Sequence, residues 1–389
     1  MRVNQEKNLT QHIHTNILIA GAGCAGLSLA MRLIRSGHFS DKTITLVDRD
    51  RKQSNDRTWC FWETGEGFFE DIVFHRWQQL DFYTTGFHRG FDIGPYQYKM
   101  IRGRDFYTYC LDEIARQPNV KLVHADIQRI LPAGKSVAVI IDGKEQVLSA
   151  EMVFNTALRD SPAKDDLMLL QHFKGWVIET ATDVFDPTRG TLMDFRIPQS
   201  RGTSFVYVLP FTARKALVEF TLFTADLLRD EEYEAGLHDY LQQYVKPGSY
   251  TVLEKEFGVI PMTTQRFQFM RDGYYQAGTA GGQTKASSGY TFQFIQKHTS
   301  SIVNSLLRGD FPNGVAKDPS RFRFYDDTLL HILYYRKLEG ADIFRDMFRR
   351  NDPRQIFKFL DNETSLPEDL RIISTLPTWP FLKAAIRQF

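Results

Sequence analysis

The chain has 389 residues, with 48 lysines and arginines against 47 aspartates and glutamates and a formal net charge of +1 at pH 7. That balance excludes the broad positive field that a nucleic-acid partner demands, and no run of about 18 apolar residues offers a membrane-crossing helix. Three widely spaced cysteines, Cys24, Cys60 and Cys110, fit a reducing cytosol, and the polar first stretch lacks the apolar core of a signal peptide.

The first element is a short apolar run, Ile17, Leu18, Ile19 and Ala20, as in a parallel strand buried on both faces. Gly21, Gly23 and Gly26 follow as G-x-G-x-x-G, and residues 27–36 continue as a helix. In such a turn the first glycine permits the bend, the second lets the backbone approach a pyrophosphate, and the third lets helix and strand pack closely. The helix then aims its free N–H groups at the phosphates. Residues 43–47 read as a second strand ending at Asp48, where an acid would grip a ribose hydroxyl. The arrangement predicts a dinucleotide site, against the alternative of a tight turn that holds nothing.

Residues 49–57 are charged and loop-like, and Arg57 either reaches the dinucleotide phosphates or lies solvated. Residues 68–95, dense in aromatics and histidine and strand-like at 80–83, read as part of an inserted sheet. Arg104 opens a helix with Tyr107, Leu111 and Ile114 on one face. Residues 120–125 form a strand, 137–141 and 145–148 a hairpin turned at Asp142-Gly143, and 152–155 a further strand.

Residues 167–257 are β-rich, with strands expected at 175–180, 191–196, 204–209 and 215–223 and a helical period at 230–244. Alternation places Leu217, Glu219, Thr221 and Phe223 on one face. If that face is buried, desolvation keeps Glu219 protonated and ready to donate; the same spacing also fits a solvent-facing glutamate.

A second glycine-rich stretch, 273–289, contains Gly278, Thr279, Gly281, Gly282 and Gly289 and opens a helix carrying Phe292, Ile295, Ile302 and Leu306. As a bare backbone loop it would offer N–H groups to negative charge on a flavin ring; a flexible surface loop is the other reading. From Tyr325 the chain reads as helical, with an arginine-rich amphipathic piece at 344–350 and a Trp379-Pro380-Phe381-Leu382 finish. Such pieces lie on a membrane surface or pack on their own protein. No spacing of His, Cys and Asp resembles a metal site, and no nucleophile elbow is present.

Several stretches resemble the lycopene β-cyclase family. They are Asn55-Asp56-Arg57-Thr58-Trp59-Cys60-Phe61-Trp62, Gly175-Trp176-Val177-Ile178-Glu179-Thr180 with Phe185-Asp186, Leu192-Met193-Asp194-Phe195-Arg196, Val218-Glu219-Phe220-Thr221, and Ala277-Gly278-Thr279-Ala280-Gly281-Gly282 through Ser288-Gly289-Tyr290. They run in the family's order from Ile17 to about Leu306 and the likeness fades beyond. The resemblance implies an α/β fold of the two-domain flavin-hydroxylase type: a Rossmann-type FAD-binding domain (14–58, 96–160 and 258–310), a β-rich substrate domain (59–95 and 161–257) and a helical C-terminal region (311–389).

It further implies bound FAD, kept reduced by NAD(P)H, and the closing of β-ionone rings on lycopene by way of γ-carotene to β-carotene. Glu219 maps onto the family's essential acid, and Arg104 onto a pyrophosphate-binding arginine. The sequence departs at Gly278-Thr279, where hydroxylase-type flavoproteins have Gly-Asp with the Asp on the ribityl chain. A carotenoid partner implies a cytoplasmic protein touching the inner face of the membrane peripherally.

Ring closure moves no net electrons. A proton is added to a terminal double bond, the cation is attacked by the next double bond, and a ring proton leaves. An alkene is a very weak base, so the reaction needs a protonated acid in a dry site with negative or π-rich surfaces for the cation, a part that reduced flavin can share. Glu179, Asp186, Asp194 and Arg196 read as a structural ion network. The rival readings are a flavin monooxygenase of an aromatic or terpenoid substrate, and a non-enzymatic escort for prenyl groups.

Overall fold

The computed structural model describes residues 13–131, 135–141, 143–158, 163–312, 320–377, 381 and 383. The chain opens with β1 (Ile13–Ala20), α1 (Cys24–Ser36) and β2 (Ile44–Asp48), the helix stopped at Gly37, whose left-handed φ of 70° no longer follows the helical path. There follow β3 (Thr58–Thr64), β4 (His75–Trp77), β5 (Gln79–Thr84), β6 (Phe87–Asp92), β7 (Tyr96–Arg102) and α2 (Gly103–Ala115). Next come β8 (Val120–His124), β9 (Asp126–Ile130), β10 (Ser136–Ile141), β11 (Lys144–Asn155), β12 (Met168–Thr180), β13 (Arg189–Asp194), β14 (Thr203–Pro210) and β15 (Lys215–Thr224). The last part comprises α3 (Asp230–Tyr240), β16 (Tyr250–Thr263), β17 (Met270–Arg271), β18 (Tyr274–Gln276), α4 (Phe292–Leu307), α5 (Ser320–Tyr334), α6 (Gly340–Arg350), α7 (Pro353–Leu360) and α8 (Leu366–Ile373).

One sheet is the nucleotide frame. Its neighbours run β18-β11-β1-β2-β8, all parallel, with β9, β10 and β17 added antiparallel at the margins. The strands at its centre are buried on both faces, which explains the unbroken apolar run before Gly21: Leu18, Ile19 and Ala20 have no accessible surface. Helices α1, α2 and α4 close over one side.

A sequence-based expectation is corrected here. The hairpin strand 145–148 and the strand 152–155 are one strand, β11, whose first half pairs antiparallel with β10 while residues 148–155 pair parallel with β1. Ser149 and Glu151 interrupt the apolar pattern because the strand changes partners there, not because it ends. Asp142, the expected turn residue, lies outside the described residues.

The second sheet, of seven strands, runs β16-β12-β15-β14-β13-β5-β6. Alternation splits β15 cleanly. Ala216, Val218, Phe220 and Leu222 pack under α3 with Tyr233 and Leu237, whereas Leu217 and Phe223 join the core below the C-terminal helices. There Phe82 stacks on Phe348 at 4.5 Å and Phe195 on Phe344 at 5.6 Å, so the apolar stripe of α6 is used within the protein. Phe381 packs partly buried on the same core, and Trp379, Pro380 and Leu382 lie outside the described residues. A small third sheet, β3-β7-β4, bridges the two halves. Among the described residues no helix is long and apolar enough to cross a membrane.

Candidate active site

The three glycines after β1 meet three different surroundings. Gly21 has φ +112°, and a Cβ on it would lie 2.4 Å from Thr156 Oγ1. A Cβ on Gly26 would lie 1.9 Å from the Gly21 carbonyl oxygen, so helix and strand touch there. Gly23 has nothing within 4 Å of the same position. It precedes α1, whose first turn carries no acidic residue and receives no side-chain cap. An anion with two phosphates fits such a cradle.

Asp48 ends β2 beside this turn. Its Oδ2 accepts from the Ala22 N–H at 2.8 Å and its Oδ1 from the Asp50 N–H at 2.9 Å, while Lys52 Nζ stands 3.4 Å away. The acid therefore braces the glycine turn. Arg57 pairs with its neighbour Asp56 at 2.7 Å and stands close enough to Cys24, the first residue of α1, for the two to interact electrostatically. Arg104 is exposed, its N–H donates to Asn55 Oδ1 at 3.3 Å, and its guanidinium forms no ion pair among the described residues.

The second glycine stretch is not the bare loop expected. Gly278–Gly281 winds into a short 3-10 turn, and the N–H groups of Gly282 and Gln283 are spent on the carbonyls of Thr279 and Gly278. Gly278, at φ +65°, lies against the first turn of α1, where a Cβ would come within 2.5 Å of Ala25 Cβ. A Cβ on Gly281 would come within 2.8 Å of the Gln276 backbone, and one on Gly282 within 2.5 Å of the Phe267 ring. Gly289 sits on Gln171 of the second sheet, its would-be Cβ 1.8 Å from Oε1. These glycines bring the turn against α1 at one end and against the second sheet at the other. Thr279 is partly exposed, with no hydrogen bond for its hydroxyl among the described residues. Lys285 and Asp326 of α5, an almost fully buried ion pair at 2.9 Å, hold the stretch to the C-terminal helices.

Between the second sheet, the small β3-β7-β4 sheet and the end of the glycine stretch lies a cavity of about 90 Å³. Thr58 and Cys60 line it from β3, Gly289 to Phe292 from the end of the glycine stretch, and Tyr98, Phe173, Tyr207 and Leu217 from the sheets. Glu219 projects into it, and the surface it keeps opens on this cavity. Burial pushes its carboxyl well above the usual carboxylate range; the nearby Glu256 carboxyl adds to this, against a hydrogen bond from Thr221 Oγ1 at 3.0 Å.

Glu256 was not singled out in the sequence. It lies on β16, buried, accepting a hydrogen bond from Thr58 Oγ1 at 2.7 Å. Gly175 of β12 is in register with Glu219 on one side and Glu256 on the other. A glycine in mid-strand is a signal of close approach, and here it marked the place.

The remaining acids of the motif stretches serve structure. Asp194, fully buried, pairs with Arg196 and accepts from Tyr240 Oη at 2.8 Å, while Arg196 lies over the rings of Tyr83 and Tyr244. Asp186 caps its own turn through Thr188, and Glu179 pairs with Lys215 at 3.3 Å near the surface. Among the described residues no cluster of three or more His, Cys, Asp or Glu could hold a metal ion.

Comparison with known proteins gives a consistent picture. A family profile described as "Lycopene cyclase protein" matches residues 16–386, well past the point where the motifs fade. A lycopene beta-cyclase of Paracoccus sp. is 27% identical over 240 residues, covering 58% of this chain and 61% of that one. Another, of Pseudescherichia vulneris, is 21% identical over 309 residues, covering 76% and 75%. The chain thus spans less than two thirds of the first relative. Among solved structures, a flavoprotein/dehydrogenase from Cytophaga hutchinsonii superposes with a TM-score of 0.62 at 15% identity, covering 96% of this chain and 99% of that one. The p-nitrophenol 4-monooxygenase of Pseudomonas putida superposes with a TM-score of 0.61 at 12% identity, covering 95% and 98%. At these identities the likeness is one of fold, that of the flavoprotein monooxygenases.

Proposed function

The chain belongs to the lycopene cyclase family, and from that premise we propose that it closes β-ionone rings on the ends of lycopene, with Glu219 as the proton donor. The observation that carries this reading is a carboxyl group held well above its usual range inside a cavity walled by Tyr98, Phe173, Tyr207 and Leu217. At an ordinary value of 4.5 it would be protonated in about one molecule in three hundred at pH 7. Raising it keeps the proton available, and the aromatic walls offer π faces to the tertiary cation that forms.

The proton leaves Glu219 as a C–H bond forms at the terminal double bond. The next double bond attacks the cation, and loss of a ring proton restores neutrality, so substrate and product have one formula. FAD would be held at the cradle beside Gly23, with Asp48 taking the ribose and Arg57 and Arg104 the pyrophosphate, and the stretch with Gly278, Thr279, Gly281, Gly282 and Gly289 would serve its flavin end. When bound and reduced by NAD(P)H, it supplies an electron-rich surface beside the cation. A substrate so apolar reaches the protein from a membrane surface, where Leu366 and Leu370, exposed one turn apart on α8, would make peripheral contact.

The test is anaerobic incubation of the purified protein with lycopene, FAD and reductant, followed by identification of the carotenoid. A β-ring product without oxygen consumption is expected, and Glu219→Gln, with fold and flavin content intact, should lower its formation at least a hundredfold. Full activity in that variant would refute the assignment of Glu219. A requirement for one oxygen and one NAD(P)H per turnover would point to a monooxygenase instead.

A further inference from the structure

Two acids on strands separated by a third stand about 10 Å apart along the sheet, and the middle residue normally fills the space between them. Here the middle residue is Gly175, and the Glu256 side chain bends over it: a Cβ at Gly175 would lie 2.9 Å from both Glu256 Cγ and Oε1. The Glu219 and Glu256 carboxyls thereby come within hydrogen-bonding reach of each other. Thr221 donates to one and Thr58 to the other, and Glu256 Oε1 is buried with no remaining partner. Two carboxylates have no hydrogen to share, so an O–H between them satisfies the orphaned oxygen. The geometry points to Glu219 and Glu256 sharing one proton as an acid–carboxylate pair, with Gly175 as the gap that lets them meet and Thr58 as the strut that fixes Glu256. Glu256 is a positioning residue.

Among the described residues, no cation acts on the pair to take the proton's place. Cys60 of β3, Tyr98 of β7, Tyr207 of β14 and Tyr290 of the glycine stretch are held in their neutral forms by burial, and Asp56 and Glu254 push Glu256 further toward protonation. The hydrogen bond between the two favours the proton on Glu219, on the cavity side. For the cyclisation read above, on which this consequence rests, donation breaks the Glu219 O–H bond as the C–H bond forms and leaves two adjacent carboxylates. That dianion favours the return of a proton from the ring, so one proton enters the substrate and one leaves it.

The pair can be watched without substrate. Infrared titration of the purified, flavin-loaded protein should show a protonated-carboxyl band that persists at pH 7. In Glu256→Gln its midpoint should fall by at least about one pH unit, because the repelling neighbour is gone, and the alkaline limb of the cyclisation profile should fall with it. A merely structural Glu256 would lower the rate at every pH with no such shift. Thr58→Val, a milder change, removes a donor to the carboxylate and should raise the midpoint. A midpoint unmoved in both variants would overturn the proposal. A shared-proton band in a protein that does not cyclise lycopene would sink the functional reading and leave the pair standing.

Discussion

Single residues separate binding from folding at the glycine turn. Gly23 faces open space and Gly26 touches the Gly21 carbonyl, although both belong to one sequence pattern. Gly23→Val should leave the unfolding temperature of the flavin-free protein within a degree or two while weakening flavin retention at least tenfold. Gly26→Ala should cost about 2–4 kcal/mol in denaturant unfolding, as over-packing at a helix–strand contact does. The pattern was legible because each glycine answers a local need. Glu256 was not: it is the last of three consecutive charges, Glu254-Lys255-Glu256, and only register across β12 sets it in line with Glu219. Pairings of that kind are fixed by the whole sheet and leave no mark in neighbouring residues.

At the scale of elements, the second glycine stretch depends on α5. Lys285 is buried against Asp326, which also accepts from Ser287 Oγ at 2.6 Å, and Lys285 Nζ donates to Asn362 Oδ1 at 2.7 Å. Lys285→Met leaves Asp326 charged without its cation and should cost about 3–5 kcal/mol. Adding Asp326→Leu should restore much of this, which chemical denaturation of the single and double variants would measure. In the second sheet β12, β13, β14 and β15 were legible as strands and β16 was not, while the helices at the end followed from their period. What periodicity could not supply was the occupant of each apolar face: α6 has the pattern of a surface-seeking helix, yet Phe344 and Phe348 meet Phe195 and Phe82. An amphipathic stripe records that something covers it and not what.

The whole molecule carries opposing responses to pH. Burial raises Glu219 and Glu256, and raises Asp361 to about 7. Groups raised in the fold bind protons more tightly there than in the unfolded chain. Their stabilisation is complete below the ordinary carboxyl range and is lost as pH climbs through the raised values. Glu234 and Glu368, lowered to about 2 by their lysine partners, act the other way and lose their contribution as pH falls through the carboxyl range toward 2. The unfolding temperature should therefore peak near pH 4 and decline as pH rises from there to about 7. Asp361→Asn should flatten that decline, by up to about 4 kcal/mol at pH 8 if its full shift is expressed. An equally steep decline in the variant would show that Asp361 does not drive it.

The parallel frame takes β1 from the beginning of the chain, β11 from near residue 150, and β18 from Tyr274–Gln276, which pairs with Phe154 and Asn155. During synthesis the early strands emerge long before their last partner exists, so their edges wait unpaired while the ribosome works through the second sheet. Nascent chains halted before residue 274 should stay protease-sensitive and prone to clump, and a chaperone that shields bare strand edges should raise the yield of the finished protein.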